Sequence, residues 1–101
     1  MIHVIASIHI REGKRSEYLE ILKKTALLVR NEEGCIEYIP AGDIETGLPA
    51  QQKDGNVVTI LERWESLDAL NVHLRSAHMQ EYRERVQFFV DSVSIKVLEE
   101  V

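Results

Sequence analysis

The chain has 101 residues, 45% of them apolar and 29% charged, with a formal net charge of −5. That length allows a single domain, 1–101, which buries only about two-thirds of its unfolded surface and so gains from a partner. The composition is that of a soluble globule, acidic without long like-charge runs, and a nucleic-acid groove is excluded because it needs clustered Lys and Arg.

No stretch is long enough to span a bilayer, and Met1 leads into residues that alternate too tightly for a signal peptide, so a cytoplasmic protein is expected. Residues 2–10 form the first strand, with Ile2, Val4, Ala6, Ile8 and Ile10 on one face and His3, Ile5, Ser7 and His9 on the other. After a turn at Arg11–Lys14, Tyr18, Ile21, Leu22, Leu28 and Val29 recur at helical spacing between about Ser16 and Asn31, and Gly34 is expected to cap that helix. A second strand covers roughly 35–42. A long polar surface loop follows to Asn56, of the kind that often serves as a lid.

The third strand, 57–65, carries apolar side chains on both faces, which predicts a sheet covered on both sides. Ser66 is placed to cap a short helix with Leu67, Leu70 and Leu74 as its buried stripe and His73 at the stripe's margin. A further helix from about His78 to Phe89 brings in Met79, Tyr82 and Val86, and 92–98 alternates as a last strand. The order βαββααβ predicts an α+β, ferredoxin-like antiparallel sheet with helices on one face. Ile2, Val4, Ile8 and Ile10 are expected to remain as an apolar patch on the other face, where two sheets would pack face to face in a homodimer.

Two stretches carry the functional signal. Glu62-Arg63-Trp64-Glu65-Ser66 runs through the short helix to His73, and Ser76-Ala77-His78-Met79 follows, which puts two imidazoles near the end of a helix lying on the sheet. Upstream, Glu32-Glu33-Gly34-Cys35 precedes Tyr38, with two carboxylates near a helix C-terminus, where they oppose the dipole. The single cysteine, Cys35, rules out an internal disulfide and a thiolate metal cage, and reads as a small hydrophobe.

These segments, in this order and with the long loop between 42 and 56, resemble the antibiotic biosynthesis monooxygenase superfamily of dimeric α+β barrels, and its quinol monooxygenase branch in particular. The resemblance implies a homodimer that oxygenates an electron-rich aromatic, such as a quinol or anthrone, without metal or flavin. It also implies a pocket between sheet and helices. Haem-degrading relatives carry an Asn, a Trp and a ligating His where this chain has Ser7, His73 and a residue near Arg83, which weighs against haem. An isomerase of a phosphorylated dione shares the Glu-Glu-Gly segment and the histidine pair but has a shorter loop, and no phosphate cradle is evident here. It stands as the alternative, beside a dimer that binds a small aromatic or haem without turnover.

A cofactor-free oxygenase must first deprotonate its quinol, and histidine is the base closest to working pH. His73 and His78 are therefore the candidate base and hydrogen-bond donor, with Glu33 or Glu62 orienting an imidazole. Trp64, Tyr38 and Tyr82 are candidates to line a cavity for the flat ring, with Ser7 as a further substrate contact. Absence of HxH or HExxH spacing and of a glycine-rich phosphate loop predicts no metal and no cofactor, leaving dioxygen and the small aromatic as partners.

Overall fold

A computed structural model describes residues 1–101. Its elements are β1 (Ile2–Ile10), α1 (Arg15–Arg30), β2 (Cys35–Gly42), β3 (Val57–Trp64), α2 (Leu67–Leu74), α3 (Ala77–Val86) and β4 (Val90–Leu98). The strands form one antiparallel sheet in the order β2-β3-β1-β4, with the helices on one face. This is the ferredoxin-like arrangement that the pattern predicts. No helix is long and apolar enough to cross a membrane.

Register decides which face is covered. Val4, Ala6 and Ile8 pair with Glu62, Ile60 and Val58, and Tyr38 pairs with Glu62, so these side chains share one side. Val4, Ala6, Ile8 and Ile10 are buried there with Tyr18, Leu22, Ala26 and Val29 of α1 and with Leu70 of α2. The expected apolar patch at Ile2, Val4, Ile8 and Ile10 is thus the helix-covered core. Alternation tells which residues share a face but not which face receives the helices. The side without helices carries Ile5, Ile39, Leu61 and Leu98, each 37 to 44% exposed, among His3, Ser7, Glu37, Thr59 and Arg63. On the helical side, Val93, Ile95 and Val97 of the edge strand β4 also stay about half exposed, because no helix reaches over them.

Helix boundaries follow local chemistry. The buried stripe of α1 is Tyr18, Leu22, Thr25, Ala26 and Val29, while Leu28, expected inside, points to solvent. Asn31, in a right-handed conformation, caps α1, and Gly34 instead makes the turn into β2 with φ +84°. In α2 the Ser66 hydroxyl accepts from the Ala69 N–H at 3.1 Å, as its sequence position predicts. The buried residues of α2 are Leu70 and His73, whereas Leu67 is exposed. His73 is therefore core and not stripe margin.

A Cβ on Gly34 would stand 2.6 Å from the Ala69 Cβ, so both the backbone and the packing of α2 demand glycine. Gly34→Ala should cost at least about 2 kcal/mol, a Tm loss of about 10 °C or more. Gly13 has a similar φ but open space around it, and Gly13→Ala should cost only about 1 kcal/mol. Thermal unfolding of the two variants checks the difference; equal losses would mean that the contact with α2 is easily relieved.

Candidate active site

The turn after α1, the end of β3, α2 and the start of α3 converge on one carboxylate. Glu32 Oε2 lies 2.7 Å from His73 Nδ1 and 3.1 Å from His78 Nε2, so one oxygen accepts from both imidazoles. His73 is 1% exposed, while His78, on the first turn of α3, is partly open to solvent. Burial pushes the His73 pKa below the ordinary imidazole value, and the neighbouring Glu32 carboxylate pulls the other way. Near neutrality His73 is thus a neutral base tied to an anion.

Aromatic side chains fix the ring. The fully buried Trp64 lies over His73 with centroids 4.6 Å apart, and Tyr38 meets the same imidazole edge-on at 5.7 Å. The Trp64 indole N–H in turn donates to Glu62 Oε1 at 2.9 Å. Glu62 is 7% exposed, and burial raises its carboxyl to about 7, with the indole hydrogen bond opposing the shift and Glu32 adding to it. Behind this layer the hydroxyls of Tyr18 and Tyr82 share a hydrogen bond of 2.5 Å, and burial keeps both phenols protonated. Burial likewise raises the Cys35 thiol to about 11, so it is not a nucleophile near neutral pH.

Of the residues singled out from sequence, His73, His78, Glu62, Trp64 and Tyr38 gather on this side of the sheet, with Tyr82 close by. Glu33 does not join them: it is exposed beside Gly34, Glu65 and Asp68, and its neighbour Glu32 makes the contacts. Ser7 lies on the face without helices, where it borders a polar hollow of about 480 Å³ with His9, Asp43 and Lys53. The long loop flanks that hollow and does not close over the histidines.

The space between sheet and helices, expected to hold a pocket, is filled by Tyr18, Tyr38, Trp64, His73 and Tyr82. Two openings reach its edge. A cavity of about 70 Å³ between α1 and α3 is lined by His78, Thr25 and Tyr82. A groove of about 230 Å³ between α3 and β4 is lined by Tyr82, Val86, Val90 and Val93. Tyr82 walls both. Glu32, His73 and His78 are also the one grouping of His, Cys, Asp and Glu side chains placed to share a metal ion, with their ligand atoms within 4.8 Å of one another.

The family model described as Antibiotic biosynthesis monooxygenase matches residues 1–85. The chain belongs to that family. It is 35% identical over 101 residues to the Escherichia coli (strain K12) protein named Probable quinol monooxygenase YgiN, covering 98% of this chain and 97% of the relative. Among solved structures, Rv0793 from Mycobacterium tuberculosis superposes with a TM-score of 0.83 at 28% identity, covering 99% of this chain and 94% of that one. A conserved protein from Methanosarcina mazei Go1 gives 0.85 at 25% identity, with 99% and 92% covered. The family fold is therefore shared end to end, and the cluster around Glu32 lies within the matched segment.

Proposed function

We propose that the protein is a cofactor-independent monooxygenase that oxidises a quinol-like aromatic with dioxygen, using His73 and His78, joined through Glu32, as proton acceptor. The observation that carries this reading is the His73–Glu32–His78 cluster, in which Trp64 and Tyr38 lock the buried His73 ring. Family membership and the name of the Escherichia coli relative support it.

Dioxygen takes an electron from a quinolate far more readily than from a neutral quinol, so the reaction starts with loss of a phenolic proton to an imidazole. The quinolate passes one electron to dioxygen, and the ring radical and superoxide combine to form a carbon–oxygen bond. Loss of water then leaves a hydroxylated quinone. Quinol plus dioxygen thus gives hydroxyquinone plus water, with two hydrogens of the quinol leaving in that water. Glu32 stabilises the imidazolium formed in the first step. Glu62 acts as a positioning residue, holding Trp64 and through it His73.

The groove at Tyr82, Val86, Val90 and Val93 is the apolar surface that receives the ring, and displacement of Tyr82 opens it toward His78. Ser7 and Glu33 have no part in this reading. An oxygen electrode distinguishes enzyme from binder: a reduced naphthoquinone should consume dioxygen above its spontaneous rate when protein is added. A protein that only sequesters the quinol would slow the spontaneous uptake.

The homodimer belongs to the same proposal. Ile5, Ile39, Leu61 and Leu98 form an apolar centre on the face without helices, and a second sheet packed there would bury well over the ~1,000 Å² of a minimal interface. Light scattering should report twice the 11.6 kDa chain mass, and Leu61→Asp should yield monomers. A monomeric parent at micromolar concentration would contradict the assembly without touching the chemistry.

A further inference from the structure

We propose that Glu32, His73 and His78 form a zinc site, and that zinc bound there inhibits the oxidation by holding both imidazoles in the tautomer whose outer nitrogen already carries a proton and cannot take one from the substrate. The inhibitory half rests on the function proposed above; the binding half does not. Two imidazoles and a carboxylate are a donor set that zinc takes in four-coordinate sites, with water as the remaining ligand.

The distances are near those required. Glu32 Oε2 stands 2.7 Å from His73 Nδ1 and 3.1 Å from His78 Nε2, against about 3.4 Å between ligand atoms around a tetrahedral zinc. The two nitrogens lie within 4.8 Å, and both bonds to one ion require at most about 4.2 Å. The adjustment falls on the side able to make it. His73 is wedged between Trp64 and Tyr38, whereas His78 sits on the first turn of α3 and is partly exposed.

Access fits a small ion. The cavity that opens onto His78 is about 70 Å³, roomy for a partly hydrated cation and too small for a quinol ring. Lys24 and Arg85 border it together with Glu81, which should slow arrival of the cation more than it weakens the bound state. At the site the Glu32 carboxylate neutralises part of the added charge. A zinc ion held this way has no redox chemistry to offer, and with zinc on the nitrogen that faces Glu32 each neutral imidazole carries its proton on the other nitrogen, which leaves no lone pair to act as a base.

Zinc chloride titrated calorimetrically into the full chain, freed of metal by chelator, tests the site. One zinc per chain with a Kd on the order of micromolar or tighter is expected. Glu32→Gln and His78→Ala should each weaken binding by at least about tenfold, and both change groups that are not fully buried, so the fold survives. The double variant His3→Ala, His9→Ala, which removes the other two histidines, should bind as the parent does. No binding, or binding lost in the His3/His9 variant and kept in His78→Ala, would overturn the site. In the oxidation assay, zinc should inhibit with the same midpoint as it binds, and chelator should reverse it. Zinc seated at the cluster with oxidation unchanged would overturn the inhibitory claim and count against the cluster as proton acceptor. Failure to bind in a protein that oxidises quinol would remove the metal site alone.

Discussion

His78→Ala and His73→Ala should each lower the rate of quinol oxidation by about 10²-fold or more, the range expected for loss of a general base. The two substitutions do not test the same thing. His78 is partly exposed at the start of α3, so its removal leaves the core intact and reports on proton transfer. His73 is 1% exposed between Trp64 and Tyr38, so alanine also opens a hole beneath the indole and lowers stability. His73→Asn, which keeps a polar group nearer the original shape, is the better companion. Far-UV dichroism and thermal unfolding should be nearly those of the parent for His78→Ala. The pH–rate profile of the parent should rise as His73 loses its proton, with the rising limb on the acid side of the ordinary histidine range, because burial lowers the pKa of His73. Steady-state oxygen uptake across pH checks both, and a His78→Ala protein with full activity would remove that residue from the mechanism.

Glu62→Gln should change how stability depends on pH. Burial raises the Glu62 carboxyl to about 7, so the folded protein holds this proton more tightly than the unfolded chain does. A raised carboxyl contributes its full stabilisation below the unfolded value of about 4.3 and loses it as pH rises through about 7. By pH 8 the ionised, buried carboxylate costs about 3 kcal/mol relative to its protonated form. Glutamine cannot ionise and still offers an oxygen to the Trp64 indole. The variant should therefore gain on the parent by roughly that amount between pH 4.5 and pH 8 in denaturant unfolding. His73 pulls in the opposite direction, since its lowered pKa makes acid destabilising, but it does so in both proteins and cancels in the comparison. Parallel stability curves would mean that Glu62 ionises freely in the folded state.

The strand and helix order was legible because period-2 and period-3.6 patterns report which side chains share a face. Ser66, placed before Leu67 and Asp68, marked the start of α2 through its capping chemistry alone. The covered side of the sheet was not legible, since both faces of β1 and β3 carry apolar residues and only the docking of α1 chooses between them. For the same reason the expected patch at Val4 and Ile8 proved to be core. Both histidines and Trp64 could be singled out by residue type, yet the carboxylate that joins the imidazoles could not. Glu32 and Glu33 are adjacent, and the turn between Asn31 and Gly34 alone sets which of them points inward. That link spans 41 residues to His73 and 46 to His78, beyond any local spacing motif. The interior filled by Tyr18, Tyr38 and Tyr82 was hidden too, because packing volume is a property of the assembled elements.

Isotope labelling reaches the central claim most directly. A reduced naphthoquinone is oxidised under ¹⁸O₂ by the parent and by the His73→Asn, His78→Ala double variant, and the product is examined by mass spectrometry. The account predicts one labelled oxygen atom in the hydroxylated quinone made by the parent, one dioxygen consumed for each quinol, and a rate in the folded double variant reduced by about 10²-fold or more. Unlabelled quinone with peroxide from the parent, or undiminished label incorporation by the double variant, would contradict it.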